Sequence, residues 1–122
     1  GMEVFADPLI VKVFFNLMEN SLRHGEKVST MSFSTHKSEA GFAILYQDNG
    51  VGISAEDKTR LFRKGFGKHT GLGLFLSQEI LAITGITITE NGIPGNGVRF
   101  EMMVPDGGYR FRTTDIPAQE NK

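Results

Sequence analysis

The chain contains no cysteine, which excludes a disulfide framework, a thiolate zinc site and a cysteine nucleophile. It also lacks a surplus of either charge: 13 Lys and Arg stand against 14 Asp and Glu, for a formal net charge of −1. Bulk binding to nucleic acid or to an anionic membrane calls for a clearly basic surface, so neither partner is expected. The 3 histidines are too scattered to form a metal cluster by close spacing. No apolar run approaches the length of a bilayer span, and the opening residues lack a signal-peptide layout. Gly1 ahead of Met2 has the look of an expression remnant, so the natural protein is expected to continue upstream. What remains is ordinary, 122 residues of which 39% are hydrophobic and 22% charged, enough for one core and no second domain. Glycine alone is plentiful, at 15 residues, and it is clustered.

A short strand is expected over residues 3–6. Asp7 then reads as a helix N-cap, with Pro8 at the first helical position. The helix should run to His24 and stop at Gly25, a favourable C′ residue. It is apolar nearly all round, which predicts heavy burial. Strands over 28–35 and 41–47 form a hairpin, with Phe42, Ile44 and Tyr46 on one face. Ser54 to Asp57 is a capping-box pattern opening a short helix through Phe62. A Gly- and Lys-rich loop leads to a second long helix over 72–84, closed by Gly85. Strands over 86–90 and 98–104 complete the domain, and Val98, Phe100, Met102 and Val104 alternate as a buried face should. Residues 1–105 therefore form the domain, and 106–122 a tail that is partly disordered. The order predicts a layered α/β domain with helices on one face of a sheet.

Inside the first helix, spacings of four stack Asn16, Asn20 and His24 on one face, with Arg23 beside them. One reading is that an asparagine caps a neighbouring loop, since buried polar groups are normally satisfied structurally. The other is that two amide oxygens one turn apart complete a magnesium shell whose other ligands are phosphate oxygens and water. Asp48-Asn49-Gly50-Val51-Gly52 is a strand end running into a glycine turn, and Gly71-Leu72-Gly73-Leu74 opens a helix. Neither a dinucleotide fingerprint nor a Walker loop is present. Amides at the start of the second long helix would still attract an anion. Between the two loops, Lys58, Arg60, Arg63, Lys64 and Lys68 form a one-sided charge run. Such runs are mostly solvated helix faces, but beside a glycine-bounded phosphate site this one reads as a basic lid.

Taken together, five segments resemble the N, G1, F, G2 and G3 boxes of sensor histidine kinases, in the family's order. They are Asn16-Leu17-Met18-Glu19-Asn20-Ser21-Leu22-Arg23-His24, the Asp48 to Gly52 turn, Leu61-Phe62-Arg63-Lys64-Gly65-Phe66-Gly67, the Gly71 to Leu74 turn, and Gly95-Asn96-Gly97-Val98-Arg99-Phe100. The resemblance implies the Bergerat (GHKL) fold, a two-layer α/β sandwich with a mixed, mostly antiparallel sheet and helices on one face. It also implies ATP and Mg²⁺ as ligands. Asp48 would accept a hydrogen bond from the adenine amino group, and guanine, with an acceptor at that edge, would be repelled. Gly50, Gly52 and Ile53 would approach the base, with His24 near the base or ribose. Asn20 and Asn16 would hold Mg²⁺, while Arg23 and Lys68 would neutralise phosphate oxygens. Phe62 and Phe66 would anchor the lid, His69 would be a lid or phosphate neighbour, and Gly71, Leu72 and Gly73 would bind phosphate.

Some departures carry consequences. Hydrolytic relatives have Glu where this chain has Asn16, and an amide cannot take up water's proton, so slow hydrolysis is expected. Glu19 could substitute as a base but points around the helix from Asn16. Val98 replaces a frequent threonine, removing one polar contact to the adenine region. No histidine lies in a phosphoacceptor context. The expected activity is thus protein-histidine kinase chemistry by the catalytic portion alone: γ-phosphoryl transfer to a histidine on a separate helical hairpin, with a response regulator downstream. Dimerisation would occur through regions outside this chain, and the location would be cytoplasmic, with a membrane-anchored parent permitted. The alternatives are a nucleotide sensor without transfer and a protein-serine kinase of the same superfamily.

Overall fold

The computed structural model describes residues 2–4, 9–39, 41–63, 73–105 and 109–111. In chain order the elements are β1 (Met2–Val4), α1 (Ile10–His24), β2 (Met31–Ser38), β3 (Gly41–Asp48), α2 (Ala55–Lys58), α3 (Gly73–Ala82), β4 (Thr87–Glu90), β5 (Arg99–Pro105) and β6 (Tyr109–Phe111). A four-stranded sheet runs in the order β2-β3-β5-β4, and every pairing in it is antiparallel. β1 and β6 form a separate two-stranded antiparallel ribbon.

The core forms where alternating strand residues meet the helices. Phe42, Ile44 and Tyr46 from β3, Phe100, Met102 and Val104 from β5, and Ile88 from β4 join Val13 and Leu17 of α1 and Leu81 of α3. Each such side chain contributes about 1.5–3 kcal/mol by leaving water. The alternation predicted for residues 98–104 holds, with Val98, Phe100, Met102 and Val104 all buried. In β3 the opposite face is buried too, at Ala43 and Leu45. These two lie across the register from Met103 and Glu101.

Local signals decide most element ends. Ser54 caps α2 by accepting from the Asp57 amide at 3.1 Å. The expected helix through Phe62 is shorter, however: α2 ends at Lys58 and single turns continue to Arg63. β2 begins at Met31 rather than at residue 28, because Asn49 Oδ1 draws the Ser29 and Thr30 amides into a loop tether. α1 starts at Ile10 with Leu9 in the capping position, while the predicted cap at Asp7 and Pro8 lies outside the described residues. Gly25 ends α1 in a right-handed conformation, and the left-handed residue is Glu26 at φ 62°. Glycine stands at position 25 for room, since a Cβ there would lie 2.2 Å from Val28 Cγ2.

One expectation is corrected. α1 is not buried all round: Val13 and Leu17 face the core, but Val11, Phe15 and Leu22 are exposed, the last at 67%. A single helix on one sheet face can bury only one stripe, whatever its composition. After residue 105 the described residues comprise β6, which pairs with β1; residues 106–108 and 112–122 lie outside them.

The end of α3 is a Schellman motif. Ile86 N donates to Leu81 O at 3.0 Å and Gly85 N to Ala82 O at 3.1 Å, and Leu81 and Ile86 are both buried. Gly85 has φ 77°, and a Cβ there would meet no atom closer than 3.9 Å, so backbone strain alone should penalise a side chain. Gly85→Ala is expected to lower unfolding free energy by about 1 kcal/mol with an unchanged denaturant slope. Urea titration followed by circular dichroism checks this.

Candidate functional site

β3 ends at Asp48, which is buried despite its charge. Its Oδ1 accepts from the Gly50 amide at 2.9 Å and the Val98 amide at 3.0 Å. Its Oδ2 is buried and has no partner among the described residues. A buried acceptor left open in this way is costly unless something outside the chain satisfies it. Gly97 allows the approach, because its φ is 93° and a Cβ there would lie 2.0 Å from the Asp48 carbonyl oxygen.

Beside Asp48 is a recess of about 20 Å³ lined by Asn20, Ser21, His24, Gly25, Asp48, Gly52, Ile53 and Val98. It shares Asn20, His24, Gly52 and Ile53 with a cavity of about 530 Å³, a size suited to a small-molecule ligand. Val51, Ser54, Asp57, Leu61, Leu74 and Pro94 complete the cavity wall. The wall thus joins the second half of α1, the turn after β3, α2, the start of α3 and the loop before β5.

The stacked polar face of α1 divides. Asn20 and His24 line the cavity. Asn16 is tied into the fold: its amide nitrogen donates to Gly73 O at 3.2 Å and to Ser77 Oγ at 3.1 Å. Ser77 in turn donates to Gly73 O at 2.8 Å, so Asn16 locks the start of α3 against α1. Arg23 is paired with Glu19 at 2.9 Å on the exposed side of α1 and is not among the cavity's lining residues.

The expected basic lid is also redistributed. Lys58 lies 3.0 Å from Glu90 Oε1 and donates to Gly92 O, and Arg60 pairs with Asp57 at 3.2 Å. Both cations serve carboxylates within reach, Arg60 that of Asp57 three residues back in α2 and Lys58 that of Glu90 on β4. Lys64, Phe66, Lys68, His69, Gly71 and Leu72 lie outside the described residues. Phe62 packs edge-on against buried Phe100, with ring centroids 6.3 Å apart. Gly50 donates its amide to Asp48, and Gly52 lines the cavity.

Sequence reasoning missed the layer beneath. Tyr46 and Ser21 are both buried, with their hydroxyl oxygens 2.6 Å apart. The two-residue period of a strand places Tyr46 on the face of Asp48, a signal that was available. Burial pushes the Tyr46 phenol above its ordinary value; the Ser21 hydrogen bond partly offsets this and the Asp48 charge adds to it. Among the described residues no group of three or more His, Cys, Asp or Glu could hold a metal ion. No described helix is long and apolar enough to cross a membrane.

An α/β sandwich with a glycine-rimmed cavity and a buried, half-satisfied carboxylate beside it defines a domain of the nucleotide-binding class. Residues 6–108 match the model of the histidine kinase-, DNA gyrase B- and HSP90-like ATPases, and the chain belongs to that family. It is 35% identical over 103 residues to the alginate biosynthesis sensor protein KinB of Pseudomonas aeruginosa, covering 79% of this chain and 17% of that protein. It is 29% identical over 120 residues to the sensor-like histidine kinase SenX3 of Mycobacterium tuberculosis, covering 91% of this chain and 29% of the relative. The chain thus spans less than a third of the length of these curated relatives. Among solved structures, the catalytic domain of histidine kinase ThkA superposes with TM-score 0.68 at 26% identity, covering 82% of this chain and 69% of that one. The ATP-binding domain of PrrB from Mycobacterium tuberculosis gives 0.62 at 26% identity, over 78% and 64%.

A phenol whose pKa is raised on folding holds its proton while the unfolded chain releases one, so stability falls as pH rises above about 10. The Tyr46 contribution is complete below that point and is lost toward the folded-state value. Tyr46→Phe should therefore be less stable at neutral pH by about 1–2 kcal/mol, through the unpaired Ser21 hydroxyl. It should also show a flatter alkaline limb, read from melting temperatures across the alkaline range.

Proposed function

We propose that this domain binds Mg·ATP and passes the γ-phosphoryl group to a histidine on a separate helical module of a two-component sensor kinase. The observation that carries the reading is Asp48 Oδ2, a buried acceptor without a partner among the described residues, at a recess that adjoins the cavity. It suits the exocyclic amine of adenine, which donates where guanine carries an acceptor oxygen. Gly50, Gly52 and Ile53 would flank the base, with His24 near the base or ribose. Gly71, Leu72 and Gly73 would meet phosphate at the start of α3, and Lys68, His69 and Phe66 would belong to the closing loop.

Asn20 lines the cavity, and a side-chain amide oxygen is a donor type that suits Mg²⁺ when phosphate oxygens and water fill the remaining positions. The metal would neutralise phosphate charge. Asn16 would share this role in the family pattern, but its amide nitrogen bonds to Gly73 and Ser77 favour a scaffolding part. Arg23, paired with Glu19, would have to leave that partner to meet phosphate. In the transfer itself the γ-phosphorus–oxygen bond breaks, a phosphorus–nitrogen bond to the acceptor imidazole forms, and ADP departs. The domain's contribution is positioning and charge neutralisation. Neither Asn16 nor the ion-paired Glu19 offers a free base to activate water, which supports slow hydrolysis. A response regulator would then receive the phosphoryl group from the histidine.

Asp48→Asn tests the base assignment. The two amides at Oδ1 would hold the asparagine oxygen, turning its NH₂ toward the adenine amine, donor against donor. ATP affinity measured by calorimetry should fall at least about tenfold, and an unchanged dissociation constant would refute the assignment. Asn20→Ala tests the metal: ATP binding should no longer strengthen when Mg²⁺ is added, and a wild-type magnesium response would remove Asn20 from the site. Supplied with ATP and a histidine-bearing helical hairpin, the domain should yield an acid-labile phosphate on the hairpin. An acid-stable product would instead indicate a serine kinase, and tight binding without transfer a nucleotide sensor.

A further inference from the structure

The recess beside Asp48 contains a hydrogen-bond donor that the functional reading leaves unused. The Ser21 and Tyr46 hydroxyls carry two protons between them, and the 2.6 Å bond that joins them consumes one. Tyr46 keeps its proton at neutral pH, as any phenol of ordinary acidity does, and burial acts in the same direction. Neither hydroxyl has a second partner among the described residues, so one proton is unassigned among them. Ser21 lines the same recess as Asp48, whose Oδ2 is the open acceptor. Ser21 is also the sole hydroxyl among the residues lining that recess. Val98, on the same wall, has an apolar side chain, and its amide is committed to Asp48 Oδ1.

We propose that the Ser21–Tyr46 pair determines purine specificity: Ser21 presents a donor beside the Asp48 acceptor, and together they read two adjacent atoms of the adenine edge. The proposal rests on the nucleotide-binding reading above. Adenine offers an amino donor at C6 and an acceptor at N1, whereas guanine offers an acceptor at C6 and a donor at N1. An acceptor–donor floor matches the first twice and opposes the second twice. Tyr46 is the positioning residue. Either hydroxyl can donate in this bond; with ligand bound Tyr46 would donate to Ser21 Oγ, fixing that oxygen and freeing the serine proton for the recess.

The test compares ATP with 1-deaza-ATP, in which N1 is replaced by C–H, by calorimetric titration of the wild-type chain and of Ser21→Ala. The wild type should favour ATP by about three- to tenfold, the worth of one hydrogen bond. Ser21→Ala should bind the two nucleotides with equal affinity. A purely structural role for Ser21 would weaken both in parallel and leave the ratio intact, which overturns the proposal. Equal binding by the wild type overturns it without any variant. If the wild type binds neither nucleotide, the functional reading falls as well, so the two failures are distinguishable.

Discussion

One carboxylate oxygen organises the cleft. Asp48 Oδ1 accepts two main-chain amides, from Gly50 and Val98, which lie 48 positions apart in the chain. These bonds fix the turn after β3 against the start of β5, and in doing so they dictate which way the other oxygen faces. Charge-assisted bonds to backbone amides are among the stronger ones available to a fold. Without them the glycine turn would have no reason to sit where it does, and Oδ2 would have no defined direction.

Glu90 makes an instructive contrast. Its Oε2 also accepts two main-chain amides, from Gly92 at 3.0 Å and Arg99 at 3.1 Å. Its second oxygen meets Lys58. The same device therefore occurs twice around the loop that precedes β5. At Glu90 the chain supplies the counter-charge and the arrangement is closed, a scaffold that holds α2 beside β4. At Asp48 it is left open. Chemistry can be directed at the second because the first has fixed the surrounding walls.

Features set by sterics or by local hydrogen bonding were legible from sequence: the Ser54 cap, the Gly85 stop, the alternation along β5, and the hairpin of β2 and β3. So was Asp48, since an acidic residue at a strand end followed by a glycine turn is a local pattern. Partners distant in sequence were not legible. Spacing placed Asn16 on a face with Asn20, but only the packing of α3 on α1 could assign its amide to Gly73 and Ser77. Likewise Arg23, Lys58 and Arg60 read as free cations until geometry paired each with a carboxylate. Composition also overstated the burial of α1, because Phe15 and Leu22 carry no mark of which side they occupy. Tyr46 and Ser21 looked like core and helix filler, although strand alternation already aligned the tyrosine with Asp48.

The ribbon of Met2–Val4 and Tyr109–Phe111 has a mechanical implication. Its register sets Met2 opposite Phe111 and Val4 opposite Tyr109, so the first and last described strands lie side by side. Force that drew these two strands apart would act first on this short ribbon, whose pairing is separate from that of the four-stranded sheet.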